Sequence, residues 1–496
     1  MQQLSRSSAW PVYGRDALRL VEAQIQQGSA TPLMQKAGLA AAQLALALAP
    51  HAERIWVAAG PGNNGGDGLE AALHLHQWGK AVTVTLWADP HRLPADAHAA
   101  WLRAQAAGVE ITPELPEAWL NGMSPLDLCI DALLGIGAER PLSAALQTAV
   151  QALNRSPALT LSLDAPTGLN PESGQALSPD SAHGVRADHT LTFIAAKPGL
   201  FMGQGRDACG VIWLEDLGFD EQAQDPRPHA QALLNPCAPH RVNRHASHKG
   251  MQGDVAVIGG ESIGPEGFGM RGAALLAASA AVHAGAGRVI LSLLSGQALE
   301  SAPFDLMQRD WRQLELRQLN VVCGCGGGQS VRAALPEVLQ QSAQLVLDAD
   351  ALNALAQDAM LQDLLKQRGA HQPTVITPHP LEAARLLQTH TAEVQQDRLL
   401  AAQRLARQFN CTVVLKGSGS VIAAPGQTPR INTSGNGRLA IGGTGDVLAG
   451  LIGARLAQGA SAFDAALAAV AQHGQLANDW PAHQPLTASQ LARKLN

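Results

Sequence analysis

A chain of 496 residues exceeds one ordinary core and predicts two or three domains. Apolar residues make up 46%, and 49 Gly with 29 Pro fall well short of the roughly 25–30% share that marks low complexity, so a packed globular protein is expected. With 3% aromatics and a net charge of −6, the chain offers neither stacking rings nor positive potential, which excludes a dedicated nucleic-acid binder.

The opening Met1–Trp10 is polar and shows no signal peptide. Strands are predicted at Arg54–Ala59, Ala81–Trp87, Leu126–Ile130, Leu159–Leu163 and His189–Ile194, where short β-branched runs occur. Helices are predicted between them, as at Gly68–Trp78 and Ala95–Ala107. Such alternation predicts a mostly parallel sheet covered on both faces. From about Asp220 to Asn243 the chain is rich in Pro, His, Gln and Asp without a period, which predicts a linker, set at 226–240. The alternation then restarts with strands at Asp254–Ile258, Arg288–Leu293, Val321–Val322, Leu345–Leu347, Thr374–Ile376 and Thr412–Leu415. The domains are therefore placed at 1–225 and 241–496. Neither Gly38–Pro50 nor Gly272–Gly287, the longest apolar stretches, reaches the roughly 18 residues of a membrane span. Six cysteines, at 129, 209, 237, 323, 325 and 411, are scattered and read as buried or incidental thiols. A cytoplasmic enzyme is the resulting expectation.

Ligand loops of such folds lie at the carboxyl ends of the strands. The first predicted strand runs into Gly60-Pro-Gly-Asn-Asn-Gly-Gly-Asp-Gly68, which formally satisfies GxGxxG. Asp67, however, would set an anion against a pyrophosphate at the helix start. It either caps the helix or joins Asn63 and Asn64 in an oxygen-rich set suited to a hard cation. Later strand ends deliver Asp131 (CIDALLGIG), Asp164 (LSLDAPTG) and Lys197 (FIAAKPGL), which predicts one shared mouth.

Together NNGGDGL, DALLGIG, DAPTGLN and the Lys-Pro-Gly segment resemble the NAD(P)H-hydrate epimerase domain over roughly residues 12 to 218. The resemblance implies substrate contacts from Asn63, Asn64, Gly65, Gly66 and Asp67, from Gly135, Ile136, Gly137, Ala138, Glu139, Arg140 and Pro141, and from Asp164. It also implies a K⁺ ion on Asn64, Asp131 and Thr167, with Thr167 standing where the family usually shows Ser. Proton-assisted loss and regain of hydroxide needs a positioned acid/base. Asp164 is assigned that part, with Lys197 either its electrostatic helper or a surface residue.

In the second half, Ser247-His-Lys-Gly opens a strand, Thr377-Pro-His379-Pro-Leu-Glu follows one, and Lys416-Gly-Ser-Gly-Ser420 begins at a strand end. Gly442-Gly-Thr-Gly-Asp446 introduces a helix predicted at Val447–Leu456, where free amides suit a phosphoryl group and Asp446 could take a proton from an attacking hydroxyl. GGTGD resembles the ribokinase-like superfamily. TPHPLEAARL, KGSGS and NTSGNG (432–437) narrow it to the ADP-dependent NAD(P)H-hydrate dehydratases, over about residues 240 to 494. The resemblance implies substrate on Ala273, Gly326, His379 and Asp446, and nucleotide on Lys416, Gly417, Ser418, Gly419, Ser420 and Gly445. Asp446 would be the catalytic base, Mg²⁺ would bridge the phosphates, and His248 would lie near them. Two departures are Gly324-Cys-Gly326, where the family shows Gly-Pro-Gly, and Arg438 with Leu439, where small residues are usual.

The expected architecture is α/β in two tandem domains, an N-terminal Rossmann-like three-layer sandwich and a C-terminal ribokinase-like α/β/α domain. The expected activity is repair of hydrated NADH and NADPH: epimerisation of the R and S forms, then ADP-driven dehydration of the S form to NAD(P)H, AMP and phosphate. A homo-oligomer without nucleic-acid or membrane partners is expected. The alternative is a ribokinase-like small-molecule kinase fused to a Rossmann-like redox or binding domain.

Overall fold

Residues Ile55, Val57 and Ala59 enter one apolar cluster, whereas Trp56 and Ala58 enter another. Successive strand residues point to opposite faces, so the RIWVAA run is the signature of a strand covered on both sides. The structure, a computed structural model, describes residues 1–5, 8–178, 184–220, 229–236, 246, 248–263 and 269–495. It divides into two compact units, Trp10–Gln231 with Met1–Ser5, and a second that runs from Ala232 onward.

The first unit's strands are β1 (Gln2–Gln3), the two-residue β2 (Pro11–Val12), β3 (Arg54–Ala59), β4 (Ala81–Leu86), β5 (Glu110–Thr112), β6 (Leu128–Ala132), β7 (Leu159–Leu163), β8 (His189–Phe193) and β9 (Val211–Glu215). Its helices are α1 (Arg15–Gly28), α2 (Leu33–Leu48), α3 (Asn63–Gln77), α4 (Ala95–Ala106), α5 (Glu117–Leu120), α6 (Ala144–Arg155) and α7 (Gly205–Ala208). An eight-stranded sheet runs β1-β9-β8-β7-β6-β3-β4-β5, parallel except for β1. Helices α1 to α4 feed one apolar cluster and α6 feeds the other, which makes three layers.

Helix α3 begins at Asn63, not near Gly68 as the glycine run suggested. A Cβ on Gly65 would fall 2.1 Å from the Gly60 carbonyl oxygen, and one on Gly68 would fall 2.5 Å from the Ala132 side chain. The missing side chains let the helix start seat directly on the sheet, so these glycines serve packing rather than a loop.

The second unit holds β10 (Ala232–Asn235), β11 (Asp254–Gly259), β12 (Arg288–Leu293), β13 (Leu306–Gln308), β14 (Asn320–Cys323), β15 (Gln344–Leu347), β16 (Thr374–Ile376), β17 (Thr412–Leu415), β18 (Val421–Ala423) and β19 (Arg430–Asn432). Its helices are α8 (Arg271–His283), α9 (Val331–Gln341), α10 (Asp350–Gln357), α11 (Ala359–Gly369), α12 (Pro380–Leu387), α13 (Thr391–Gln396), α14 (Arg398–Phe409), α15 (Thr444–Ala457), α16 (Ala462–Asn478) and α17 (Ala488–Arg493). Strand order is β13-β12-β11-β14-β15-β16-β17-β18-β19-β10, with β17, β18 and β19 antiparallel neighbours and the other pairs parallel. Part of the expected linker is thus a strand, Ala232–Asn235, paired parallel to β19. Its residues 226–228 and 237–240 lie outside the described residues. Helix α15 starts at Thr444, three residues before expectation. Cys237, His240, His245 and Ser247 also lie outside the described residues, and the other five cysteines are buried and free.

Candidate active sites

In the first unit the strand ends open on a cavity of about 760 Å³. Asp164 follows β7 with φ +66, and its N–H donates to the Leu191 carbonyl at 2.7 Å. One carboxylate oxygen accepts from the Ile136 N–H at 2.8 Å, and the other pairs with Lys197 Nζ at 2.6 Å. Lys197 is 2% exposed and also donates to Thr192 Oγ1 at 2.8 Å and the Phe193 carbonyl at 3.0 Å. It is therefore a buried ion-pair partner, not a surface residue. Ile194, which lines the same cavity, sits at φ +67, a conformation that β-branched residues rarely adopt. Two such residues beside one cavity are backbone strain of the kind that gathers at functional sites, at about 1–3 kcal/mol each.

The other acids of this cavity are held differently. Among the described residues, neither the Asp67 nor the Glu22 carboxylate has a hydrogen bond or an ion pair. Burial, then repulsion from Asp164 and Glu22, pushes Asp67 well above the usual carboxylate range. Burial and Asp164 also raise Glu22, although Lys197 and Arg19 pull it back. Asn64 lines the cavity at 8% exposure, and neither its amide nitrogen nor its oxygen has a partner among the described residues. Asp131 lies beneath, accepting from Ser162 Oγ at 2.8 Å, the Thr167 N–H at 2.9 Å and Thr167 Oγ1 at 2.7 Å. Burial raises its pKa, and these hydrogen bonds oppose the rise.

Asn63, Asn64, Asp67, Gly135, Ile136, Gly137, Ala138, Asp164 and Lys197 therefore share one cavity. Gly65 and Gly66 do not face it, since a Cβ on each would meet Gly60 and Met34 respectively. Glu139 pairs with Arg15 instead, and Arg140 and Pro141 are exposed outside the cavity lining. Glu22 had no sequence signal, because α1 precedes every motif. Replacing Lys197 with Met would leave the Asp164 carboxylate uncompensated. The expected loss is about 2–3 kcal/mol, read as a fall in thermal midpoint of roughly 5–10 °C. An unchanged midpoint would contradict this account of the pair.

In the second unit the polar strand ends also converge. Ligand atoms of Cys325, Asp348 and Asp446 lie within 4.8 Å of one another. Lys416 Nζ is 2.5 Å from Asp348 Oδ1 and 4.0 Å from Glu382 Oε2. A Cβ on Gly445 would stand 3.5 Å from that ammonium, so α15 presents its first turn to it. His379 caps α12: its Nδ1 accepts from the Leu381 N–H at 3.1 Å, and its own N–H donates to Glu382 Oε2 at 2.8 Å. Gly326, at φ +61, brings the chain against Ala273, whose Cβ a Gly326 Cβ would meet at 2.9 Å.

Burial and the neighbouring Asp348 push Asp446 up to about 6, while the Cys325 thiol and Lys416 pull it back. Burial carries Glu382 to about 7 against the pull of Lys416. On Lys416 burial acts downward, but Asp348 and Glu382 outweigh it and keep the ammonium charged. Burial and the Lys416 charge lower His379. Sequence reasoning missed Asp348, 1% exposed, although it follows the apolar run Leu345–Leu347 as Asp131 and Asp164 follow theirs. The expectation for His248 fails. Gly253, next to its short helical turn, packs against Ala457 at the C-terminal end of α15, and Asp446 is at the opposite end of that 14-residue helix.

Comparison with known proteins follows the same division. The family model described as NAD(P)H-hydrate dehydratase matches residues 255–496, and that described as YjeF-related protein N-terminus matches residues 30–199. The bifunctional NAD(P)H-hydrate repair enzyme Nnr of Escherichia coli (strain K12) is 36% identical over 463 residues, covering 90% of this chain and 84% of its own. The enzymes of that name from Leishmania braziliensis and Coxiella burnetii are also 36% identical, covering 90% of this chain and 84% and 89% of theirs. A solved structure, the ADP/ATP-dependent NAD(P)H-hydrate dehydratase from Bacillus subtilis, is 31% identical over 52% of this chain and 92% of its own, with a TM-score of 0.42. Shared identity along nearly the whole chain, across both units, decides between the readings that the sequence had left open: the chain belongs to the family of bifunctional NAD(P)H-hydrate repair enzymes.

Proposed function

We propose that the first unit interconverts the R and S epimers of hydrated NADH and NADPH, and that the second dehydrates the S epimer with ADP. The observation that carries this is the pair of strand-end clusters, each holding carboxylates set against a lysine: Asp164 with the buried Lys197, and Asp348 and Asp446 with the half-buried Lys416.

In the first cavity the carbon–oxygen bond of the hydrate breaks as the ring nitrogen's lone pair moves in and the leaving hydroxide takes up a proton. Water then adds to either face of the ring and gives up a proton. Asp164, fixed by the Ile136 N–H and Lys197, is positioned to accept that proton. Asp67, half-buried in the cavity wall and without a counter-charge, is suited to hold the proton that the departing hydroxide needs. K⁺ would be held by Asn64, Asp131 and Thr167. The unpartnered Asn64 amide oxygen is the feature that fits a hard cation, which would supply positive charge beside the departing oxygen.

In the second site the hydrate's hydroxyl attacks the β-phosphorus of ADP. Asp446 takes the hydroxyl proton and AMP departs. The new phosphate ester then leaves with its electron pair, the adjacent ring carbon loses a proton, and NAD(P)H is restored. Lys416 and the amides at Gly443–Gly445 face the phosphoryl group. Mg²⁺ entering with the nucleotide would offset its phosphate charge.

A base must be ionised to act. With Asp446 at about 6, the ADP-dependent rate is expected to be level above pH 7 and to fall about tenfold per unit below pH 6. A rate that stays level down to pH 4.5, measured with ADP saturating throughout, would remove Asp446 from that part. The reading as a whole is tested by giving the chain the S epimer and ADP and following the reduced-nicotinamide absorbance. No recovery would end it.

A further inference from the structure

Arg398 opens α14 and is 2% exposed, a costly place for a permanent charge. Among the described residues its guanidinium does not pair with an acid. Nη2 donates to the carbonyl oxygens of Leu415 at 3.2 Å, Lys416 at 3.3 Å and Gly419 at 3.3 Å, and Nη1 donates to Gln395 at 2.9 Å. Three of these four acceptors are backbone groups, one at the end of β17 and two in the turn between β17 and β18. Gly417 lies flat on the same guanidinium: its φ is +141, and a Cβ there would fall 2.7 Å from Nη1.

The consequence follows from peptide geometry. In a planar trans peptide the C=O and N–H point in opposite directions. Drawing the Lys416 and Gly419 carbonyls onto Arg398 therefore turns the N–H groups of Gly417 and Ser420 away from it. Among the described residues, neither N–H donates a hydrogen bond. By contrast the Lys416 N–H, in the peptide whose carbonyl is Leu415, is taken by the Pro378 carbonyl at 2.9 Å. The turn thus keeps two outward N–H groups, and the Lys416 side chain that opens it reaches the first turn of α15. Such a concave set of free amides accepts an anion.

We propose that Arg398 is the positioning residue of the nucleotide loop: it holds residues 416–420 in the one conformation that aims the Gly417 and Ser420 amides at a phosphate of ADP. The inference rests on the reading of this loop as the nucleotide site. Arg398 touches no substrate and acts only through the carbonyls it gathers. A lysine can replace part of this, since an ammonium reaches fewer of the three carbonyls than the planar fork does.

The test compares Arg398→Met, Arg398→Lys and Gly417→Ala in the full chain, with ADP affinity measured by calorimetry and KM and kcat measured for both substrates. Arg398→Met is expected to raise Kd and KM for ADP about tenfold or more, with the KM for the hydrate and the kcat at saturating ADP within about twofold of wild type. Arg398→Lys should fall between, and Gly417→Ala should match the Met variant although the arginine is intact. Wild-type ADP affinity in the variants overturns the proposal. So does a parallel loss for both substrates with a lower kcat, which is what a merely structural arginine gives. Should Arg398→Met not fold, unaltered KM for ADP in the other two variants overturns it equally. A wild-type chain that binds no ADP would instead remove the nucleotide reading, and this inference with it.

Discussion

Replacing Asp446 with Asn is expected to lower ADP-dependent recovery of reduced nicotinamide by about three orders of magnitude, within the range that a positioned general base contributes. The amide keeps the size of the carboxylate but cannot take the proton of the attacking hydroxyl. The same change should stabilise the fold. Asp446 has its pKa raised from 3.8 unfolded to about 6 folded, so the folded state binds this proton more tightly and loses stability as pH rises through that window. At pH 8 the Asn variant should unfold at a higher temperature than wild type by a few degrees, and the gain should vanish below about pH 4. Calorimetric scans at the two pH values, beside the rate, separate a lost base from a lost fold. An inactive variant that is also less stable at pH 8 would contradict the assignment.

Asp164→Asn should leave the second site untouched and stop the first. Given a mixture of epimers with ADP, this variant is expected to consume the S form at the wild-type rate and then halt, with R remaining except for its slow spontaneous conversion. The fall in the enzymatic epimerisation rate should be about 10²–10⁴-fold. Chromatographic separation of the two epimers during the reaction reads this directly. Equal loss of both epimers' turnover would show that the two sites do not divide the work in this way.

The strand positions were legible because doubly covered parallel strands read as continuous β-branched runs, and RIWVAA, RVILSL and TVVL lie where expected. Short pieces such as Leu306–Gln308 and Arg430–Asn432 were not, since neither is a run of β-branched residues as Thr374–Ile376 is. The glycine run misled at α3 for a physical reason. Composition cannot distinguish a glycine that frees a loop from one that lets a helix touch a sheet, and Gly65 and Gly68 are the second kind. At the sites, residues next to a motif were found and residues far from one were not. Asp164 and Asp446 stood in recognisable turns, whereas Glu22 on α1 and Arg398 on α14 meet their sites only through the fold. Lys197 shows the remaining gap: its position was read correctly, but only the fold buries it against Asp164.

The central claim is that one chain carries both steps, each in its own unit. The most direct measurement supplies the purified full chain with the R epimer alone, with and without ADP, and follows both epimers and the reduced nicotinamide. The account predicts R–S interconversion without recovery in the absence of ADP, and complete recovery by way of the S form in its presence. Persistence of R while added S is consumed, or recovery without any nucleotide, would contradict it.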